Sequence, residues 1–134
     1  MAEPRTLVAG TGRGAALVLG EALSFWGGID PSNGEVIDVR HPQRGANVSG
    51  RVLVMPSGRG SSSSSSVLAE CLRAGTAPAA IVLAEADPIL ALGAIVAREL
   101  FGRTIPVVVA DARDVRDGVD ITVRASEGSV DVGS

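Results

Sequence analysis

Lysine and tyrosine are absent from this chain, histidine and cysteine occur once each, and aromatic residues make up only 2% of its 134 residues. Each absence removes a chemistry. All 12 basic residues are arginine, so the chain carries neither a Schiff-base lysine nor the lysine of a phosphate-binding P-loop. A Ser-His-Asp triad built within the chain would have to recruit His41. Cys71 by itself makes no internal disulfide and no cysteine-based metal centre. A net charge of −3 offers no basic footprint for nucleic acid. The longest apolar stretch, Ile89 to Ala97, is far below the ~20 residues needed to span a bilayer. No apolar signal region follows Met1 and the Ala-Glu-Pro-Arg behind it. The expectation is a cytoplasmic protein with no membrane or nucleic-acid partner.

Against these absences stand 17 glycines, 46% hydrophobic residues and an unbroken run of six serines, Ser61 to Ser66. The length fits one domain over residues 1–134. Abundant glycine with few aromatics allows close backbone approach but supplies few large core anchors, which suits a domain that leans on a partner.

The middle of the chain alternates between two patterns. Residues 51–55, 79–84 and 106–110 are short apolar runs of strand length. Between them, Val67, Leu68, Cys71 and Leu72 recur on one helical face before Gly75, and Ile89, Leu92, Val96 and Leu100 recur before Gly102. Asp87-Pro88 reads as an N-cap followed by proline at the first helical position. This predicts a central parallel βαβαβ unit in an α/β domain. Shorter strands are expected at 14–19, at 36–39 after an Asn33-Gly34 turn, and in the alternating tail within 118–132.

The serine run therefore falls in a βα connection, behind Gly58-Arg59-Gly60. Such loops are usually about 2–6 residues long, which disfavours reading the run as slack linker. Ligands of open α/β sheets bind outside the carboxyl ends of the strands. The free N–H groups of a helix start bind anions, Gly58 and Gly60 permit close backbone approach, and Arg59 adds a fixed charge suited to carboxylate or phosphate. Physics favours an anion-binding loop without separating those two anions. Some of the serines are expected only to cap the helix. A hydroxyl acts as a base only where its surroundings favour the alkoxide, and Ser61 is placed to feel the helix start, the backbone N–H groups and Arg59 together.

The segments "ALSFWGGIDPSNGEVIDVRHP", "GRVLVMPSGRGSSSSSSVLAE", "GTAPAAIVLAEADPILALGAIVA" and "PVVV", in that order over about residues 10–110, resemble the small subunit, or swivel domain, of the aconitase X family. The resemblance implies a swivelling β/β/α domain that closes over a large subunit. It implies a heteromeric dehydratase, with Ser61 as the proton-abstracting base and Ser62 helping to bind a small carboxylate substrate. The iron or iron–sulfur centre is expected in the large subunit, with no cofactor or metal bound by this chain. Two activities are known in the family, dehydration of cis-3-hydroxy-L-proline and of phosphomevalonate. Phosphomevalonate-type small subunits carry Ser-Thr-Val-Gly-Ser after the glycine, so the serine run and "SFWGG" favour the hydroxyproline branch.

Around this loop, Arg59, Gly60 and Ser62 are candidate substrate-binding residues. Ser24, Phe25 and Trp26 could wall the pocket or the subunit interface, the bland reading of Trp26 being a surface-to-core anchor. His41 is either structural or a substrate or subunit contact. Asp30 is expected to brace a turn, Cys71 to be a buried thiol, and Arg113, Asp114, Arg116 and Asp117 to form a solvated turn. Two readings of another class remain: a non-catalytic anion-binding or interaction module, and a phosphoryl carrier that would use His41.

Overall fold

The computed structural model describes residues 4–58 and 62–133. Its elements in chain order are β1 (Arg5–Val8), β2 (Gly10–Val18), α1 (Phe25–Gly28), β3 (Ile29–Asp30), β4 (Glu35–Val36), β5 (Val52–Met55), α2 (Ser64–Ala74), β6 (Ala80–Leu83), α3 (Pro88–Phe101), β7 (Val107–Val109), β8 (Asp120–Ser126) and β9 (Ser129–Gly133). Among the described residues, the main sheet has seven strands in the order β1-β7-β6-β5-β2-β8-β9, and β3-β4 form a separate small hairpin. Strands β2, β5, β6 and β7 run parallel; β1, β8 and β9 run antiparallel to their neighbours. The expected βαβαβ unit is β5-α2-β6-α3-β7.

Every residue of β5, β6 and β7 is buried, which is why these strands read as continuous apolar runs rather than alternating ones. Leu53, Met55, Ile81, Leu83 and Val107 face the helices, against Leu68, Leu72, Leu90 and Ala94. Val52, Val54, Ala80, Val82 and Val108 face the other way, against Ile121, Val123 and Ala125 of β8. The β8-β9 ribbon thus forms a second layer under the parallel strands, giving β/β/α stacking. Its tip returns to the opposite sheet edge, where Thr6 Oγ1 donates to the carbonyls of Ser126 at 2.8 Å and Ser129 at 3.2 Å.

Glycine makes that return possible. Gly10, Gly12 and Gly14 share one face of β2. A Cβ on Gly10 would meet Pro106 Cδ at 3.3 Å; on Gly12 it would fall on the Ala79 carbonyl, and on Gly14 on the Gly50 carbonyl. The lower half of β2 therefore crosses the starts of β7, β6 and β5 in backbone contact.

Three sequence expectations change. β2 starts at Gly10 rather than residue 14, because the glycines that suggest turns are the contact stripe itself. The strand expected at 36–39 ends at Val36. Beyond it Asp38 Oδ1 accepts from the Arg40 N–H at 2.9 Å, and this local turn overrides the β-branched pattern and leaves Ile37 and Val39 exposed. The α3 face at Ile89, Leu92, Val96 and Leu100 is not the buried one: Leu92 is 51% and Leu100 70% exposed. The buried residues are Leu90, Ala91, Gly93, Ala94 and Ala97. A Cβ on Gly93 would stand 2.7 Å from Ser65 O and 3.1 Å from Leu68 Cβ, so α3 lies close on α2 at this glycine, with Leu90 inward and Leu92 and Leu100 outward. Among the described residues no helix is long and apolar enough to cross a membrane.

Gly12→Ala is expected to destabilise the chain by about 1–3 kcal/mol in urea titration, the usual range for forced overpacking. Gly20→Ala, where the added carbon meets nothing within 4 Å, is the control and stays within about 1 kcal/mol of the parent.

Candidate functional site

The carboxyl ends of β5 and β6 lie side by side, and the two loops that leave them build one concave site. After β5 comes Pro56-Ser57-Gly58; after β6 comes Ala84 to Asp87. Asp87 caps α3 as expected, its Oδ1 accepting from the N–H groups of Ile89 at 2.9 Å and Leu90 at 3.3 Å. A Cβ on Gly58 would fall on the Asp87 carboxylate, so glycine is what lets the two loops touch. Leu23 pairs with Gly58 in a short parallel bridge, which adds the segment after β2 as the third wall. A cavity of about 250 Å³ opens between them, lined in part by Phe25, Ser57, Gly58, Ser64, Glu85 and Asp87. Its described lining carries two carboxylates and no cation. A second cavity of about 620 Å³ lies on the β8 side of the same strand ends, over Val54, Val82 and Ala110.

Arg59, Gly60 and Ser61 lie outside the described residues, between Gly58 and the approach to α2. Ser62 is exposed beside them, and its carbonyl accepts from Ser65 N at 3.3 Å and Ser65 Oγ at 2.8 Å. Ser63 holds the N-cap position of α2, but its side chain makes no capping hydrogen bond. Ser64 is buried and turns toward the segment at 24–26. Its Oγ accepts from the Trp26 N–H at 3.2 Å and lies 3.3 Å from Ser24 Oγ.

That segment is a single helical turn opened in the middle. Trp26 (φ −73°, ψ 116°) and Gly27 (φ 77°, ψ −11°) have the angles of the two central residues of a type II β-turn, and the second needs glycine. Phe25 is wholly buried, anchors the turn and walls the cavity. Trp26, read from the sequence either as a surface-to-core anchor or as a wall of the pocket or interface, is 59% exposed and outside the described lining; the anchor and the cavity wall are Phe25.

His41 is buried away from this cavity. Its Nδ1 accepts from the Gln43 N–H at 3.0 Å, so Nε2 carries the proton and donates to Glu21 O at 3.2 Å. With both nitrogens bonded to backbone, His41 holds the chain behind β2. Asp30 braces its turn: Oδ1 accepts from Ser32 Oγ at 2.6 Å and Ser32 N at 2.9 Å, and these bonds hold its carboxyl below the usual range. In the polar turn at 113–117, Asp117 is more than solvated, since its Oδ1 accepts from Val18 N at 2.9 Å.

The sequence reading gave no separate role to Ser64 or Glu85, took Gly58 for close approach to a ligand rather than to Asp87, and saw Asp87 only as a cap. The signal was available in one form: neighbouring parallel strands share a rim, so the loops after residues 55 and 83 had to meet.

The family described as "Aconitase X swivel domain" matches residues 1–132. A cis-3-hydroxy-L-proline dehydratase of Pseudomonas aeruginosa is 56% identical over 110 residues, covering 82% of this chain and 19% of its own length. The phosphomevalonate dehydratase small subunit of Methanothermobacter thermautotrophicus is 42% identical over 130 residues, covering 94% of this chain and 95% of its own. The crystal structure of Thermococcus kodakaraensis aconitase X, in its holo-form, matches with a TM-score of 0.85 at 34% identity, over 99% of this chain and 100% of that one. The chain spans about a fifth of the cis-3-hydroxy-L-proline dehydratases it matches.

Cys71 is buried on α2, and burial is the main cause pushing its thiol above the ordinary range. Thiolate is the reactive form. Labelling with a thiol reagent at pH 8 is expected to be at least about tenfold slower in the native chain than in urea; equal rates would contradict the buried placement.

Proposed function

The chain belongs to the aconitase X swivel-domain family, and from that premise we propose that it is the small subunit of a heteromeric dehydratase, a hydro-lyase acting on cis-3-hydroxy-L-proline. The reading of the substrate is carried by one observation, the higher identity to the hydroxyproline enzyme than to the archaeal phosphomevalonate subunit.

The reaction removes a proton from the carbon next to the carboxylate and the hydroxyl from its neighbour, so that water leaves and a double bond forms. Ser61 is the base in this reading. It follows Arg59 and Gly60 on the approach to α2, an 11-residue helix. The positive end of that helix and the Arg59 guanidinium both lower the free energy of an alkoxide. The fourth to sixth serines fit the role less well: Ser64 is buried and bonded to Trp26, Ser65 donates to Ser62 O, and Ser66 sits within the helix. Because the described cavity carries Glu85 and Asp87 and no cation, the substrate carboxylate is assigned to Arg59 and the N–H groups at Gly60 and Ser62.

The described residues do not fit an iron centre. No three His, Cys, Asp or Glu side chains gather among them, and the Cys71 thiol is buried. In this reading, which rests on the family, the iron or iron–sulfur centre belongs to the large subunit. A second substrate, phosphomevalonate, is supported by the end-to-end match to the archaeal small subunit.

The test is co-expression with an aconitase X large subunit and assay of both substrates. Turnover of cis-3-hydroxy-L-proline is expected, with a loss of about 10² or more in Ser61→Ala, the size of a missing acid–base group. Turnover of phosphomevalonate alone would reverse the substrate choice. Activity retained in Ser61→Ala would remove the base from this residue. No turnover of either substrate would favour a non-catalytic binding module.

A further inference from the structure

Among the described serines of the run, Ser62 to Ser66, Ser64 is the buried one, 3% exposed, and it is bonded out of its own helix. Its hydroxyl closes a ring with the turn at 24–26. The Trp26 N–H donates to Ser64 Oγ at 3.2 Å, Ser24 Oγ donates to Trp26 O at 3.0 Å, and the two hydroxyl oxygens lie 3.3 Å apart. Each hydroxyl has one proton. Since the Ser24 proton goes to the carbonyl, the bond between the two serines takes its proton from Ser64.

We propose that Ser64 is a positioning residue: with Ser24 it latches the Phe25–Gly28 turn onto the first turn of α2 and so holds Phe25 and Trp26 in a set relation to the serine loop. The proposal rests on that loop being the catalytic one. The need for a latch follows from the packing. The two ends of the turn are held, Leu23 by its bridge to Gly58 and Gly28 by its carbonyl, which accepts from Ile37 N at 2.9 Å, and Phe25 is buried; between them Trp26 is 59% exposed and Gly27 brings no side chain, so the peptide at Trp26 is set by no apolar contact. The latch supplies that constraint. It joins residues 40 positions apart and ties a cavity wall to the helix start that follows Ser61.

Trp26 is the only tryptophan of the chain, so its fluorescence reports this turn alone. The experiment measures Trp26 anisotropy and acrylamide quenching in the full chain, and kcat and KM in the complex with the large subunit, for Ser64→Ala, Ser24→Ala and the double variant. The exposed Ser66→Ala is the control. Ser64→Ala is expected to lower anisotropy, increase quenching and reduce kcat by about 10- to 10²-fold, as displacement of positioned groups does, with a smaller change in KM. The double variant is expected to be no worse than the poorer single one, because the pair acts as a unit. Ser64→Cys, which keeps a small donor, is expected to recover part of both signals.

Unchanged kcat, even with a lower Tm, would reduce Ser64 to a structural residue and overturn the proposal. A loss of kcat with unaltered Trp26 fluorescence would also overturn it, by placing Ser64 in direct contact with the reaction. If the wild-type complex turns over neither substrate, the catalytic reading fails; a fluorescence change in Ser64→Ala would then leave a latch without a positioning role.

Discussion

The backbone contact at Gly10, Gly12 and Gly14 is the constraint on which the rest of this fold depends. Above these glycines β2 is an ordinary parallel strand beside β5, from Ala16 to Val18. Along them it pairs with β8 and lies across the starts of three strands at van der Waals distance or closer than any side chain would allow. The bend carries the β8-β9 ribbon under the sheet and back to Thr6 on β1. That second layer covers Val52, Val54, Val82 and Val108, which would otherwise face water. A parallel sheet needs cover on both faces; here helices supply one and a glycine-hinged ribbon the other.

With both faces covered, the strand ends are what remains for a ligand. Two adjacent βα loops meet at the carboxyl rim, and again a glycine, Gly58, sets the distance by letting backbone approach the Asp87 carboxylate. The same economy of side-chain volume recurs between α2 and α3, where Gly93 brings α3 onto Ser65 and Leu68. A domain so poor in aromatics packs by close approach rather than by large anchors. Phe25 is the exception, fully buried at the wall of the cavity, and the turn that carries it is oriented by hydroxyl groups rather than by further apolar contact.

Local signals were legible to the extent that they are local. The apolar runs of β5, β6 and β7, the Asp87-Pro88 helix start, the glycine stops at Gly75 and Gly102 and the turn at Asn33-Gly34 each depend on neighbours within a few residues. The family motifs are legible for the same reason, since each is a continuous stretch. Where tertiary contact competed with a local pattern, the pattern misled. The large residues Leu92 and Leu100 of α3 fit a helical period, yet they face outward; the buried face is Leu90 with four small residues, and at Gly93 α2 lies too close for a side chain. Ile37 and Val39 have strand propensity, yet Asp38 captures the backbone first.

By itself, then, the sequence determined the parallel βαβαβ unit and the chemistry open to a chain without lysine and with a single histidine and cysteine; it put the whole serine run in a βα connection, whereas Ser64 to Ser66 already belong to α2. The tertiary structure alone decided which serine is withdrawn into the protein, which face of α3 is buried, that Phe25 rather than Trp26 is the anchor, and that His41 holds backbone away from the cavity. The physical reason is range. Propensity, capping and turn chemistry act over a few residues, whereas Ser24 meets Ser64, Gly58 meets Asp87 and Gly12 meets Ala79 only after the chain has folded back on itself, and no periodicity in the sequence records that path.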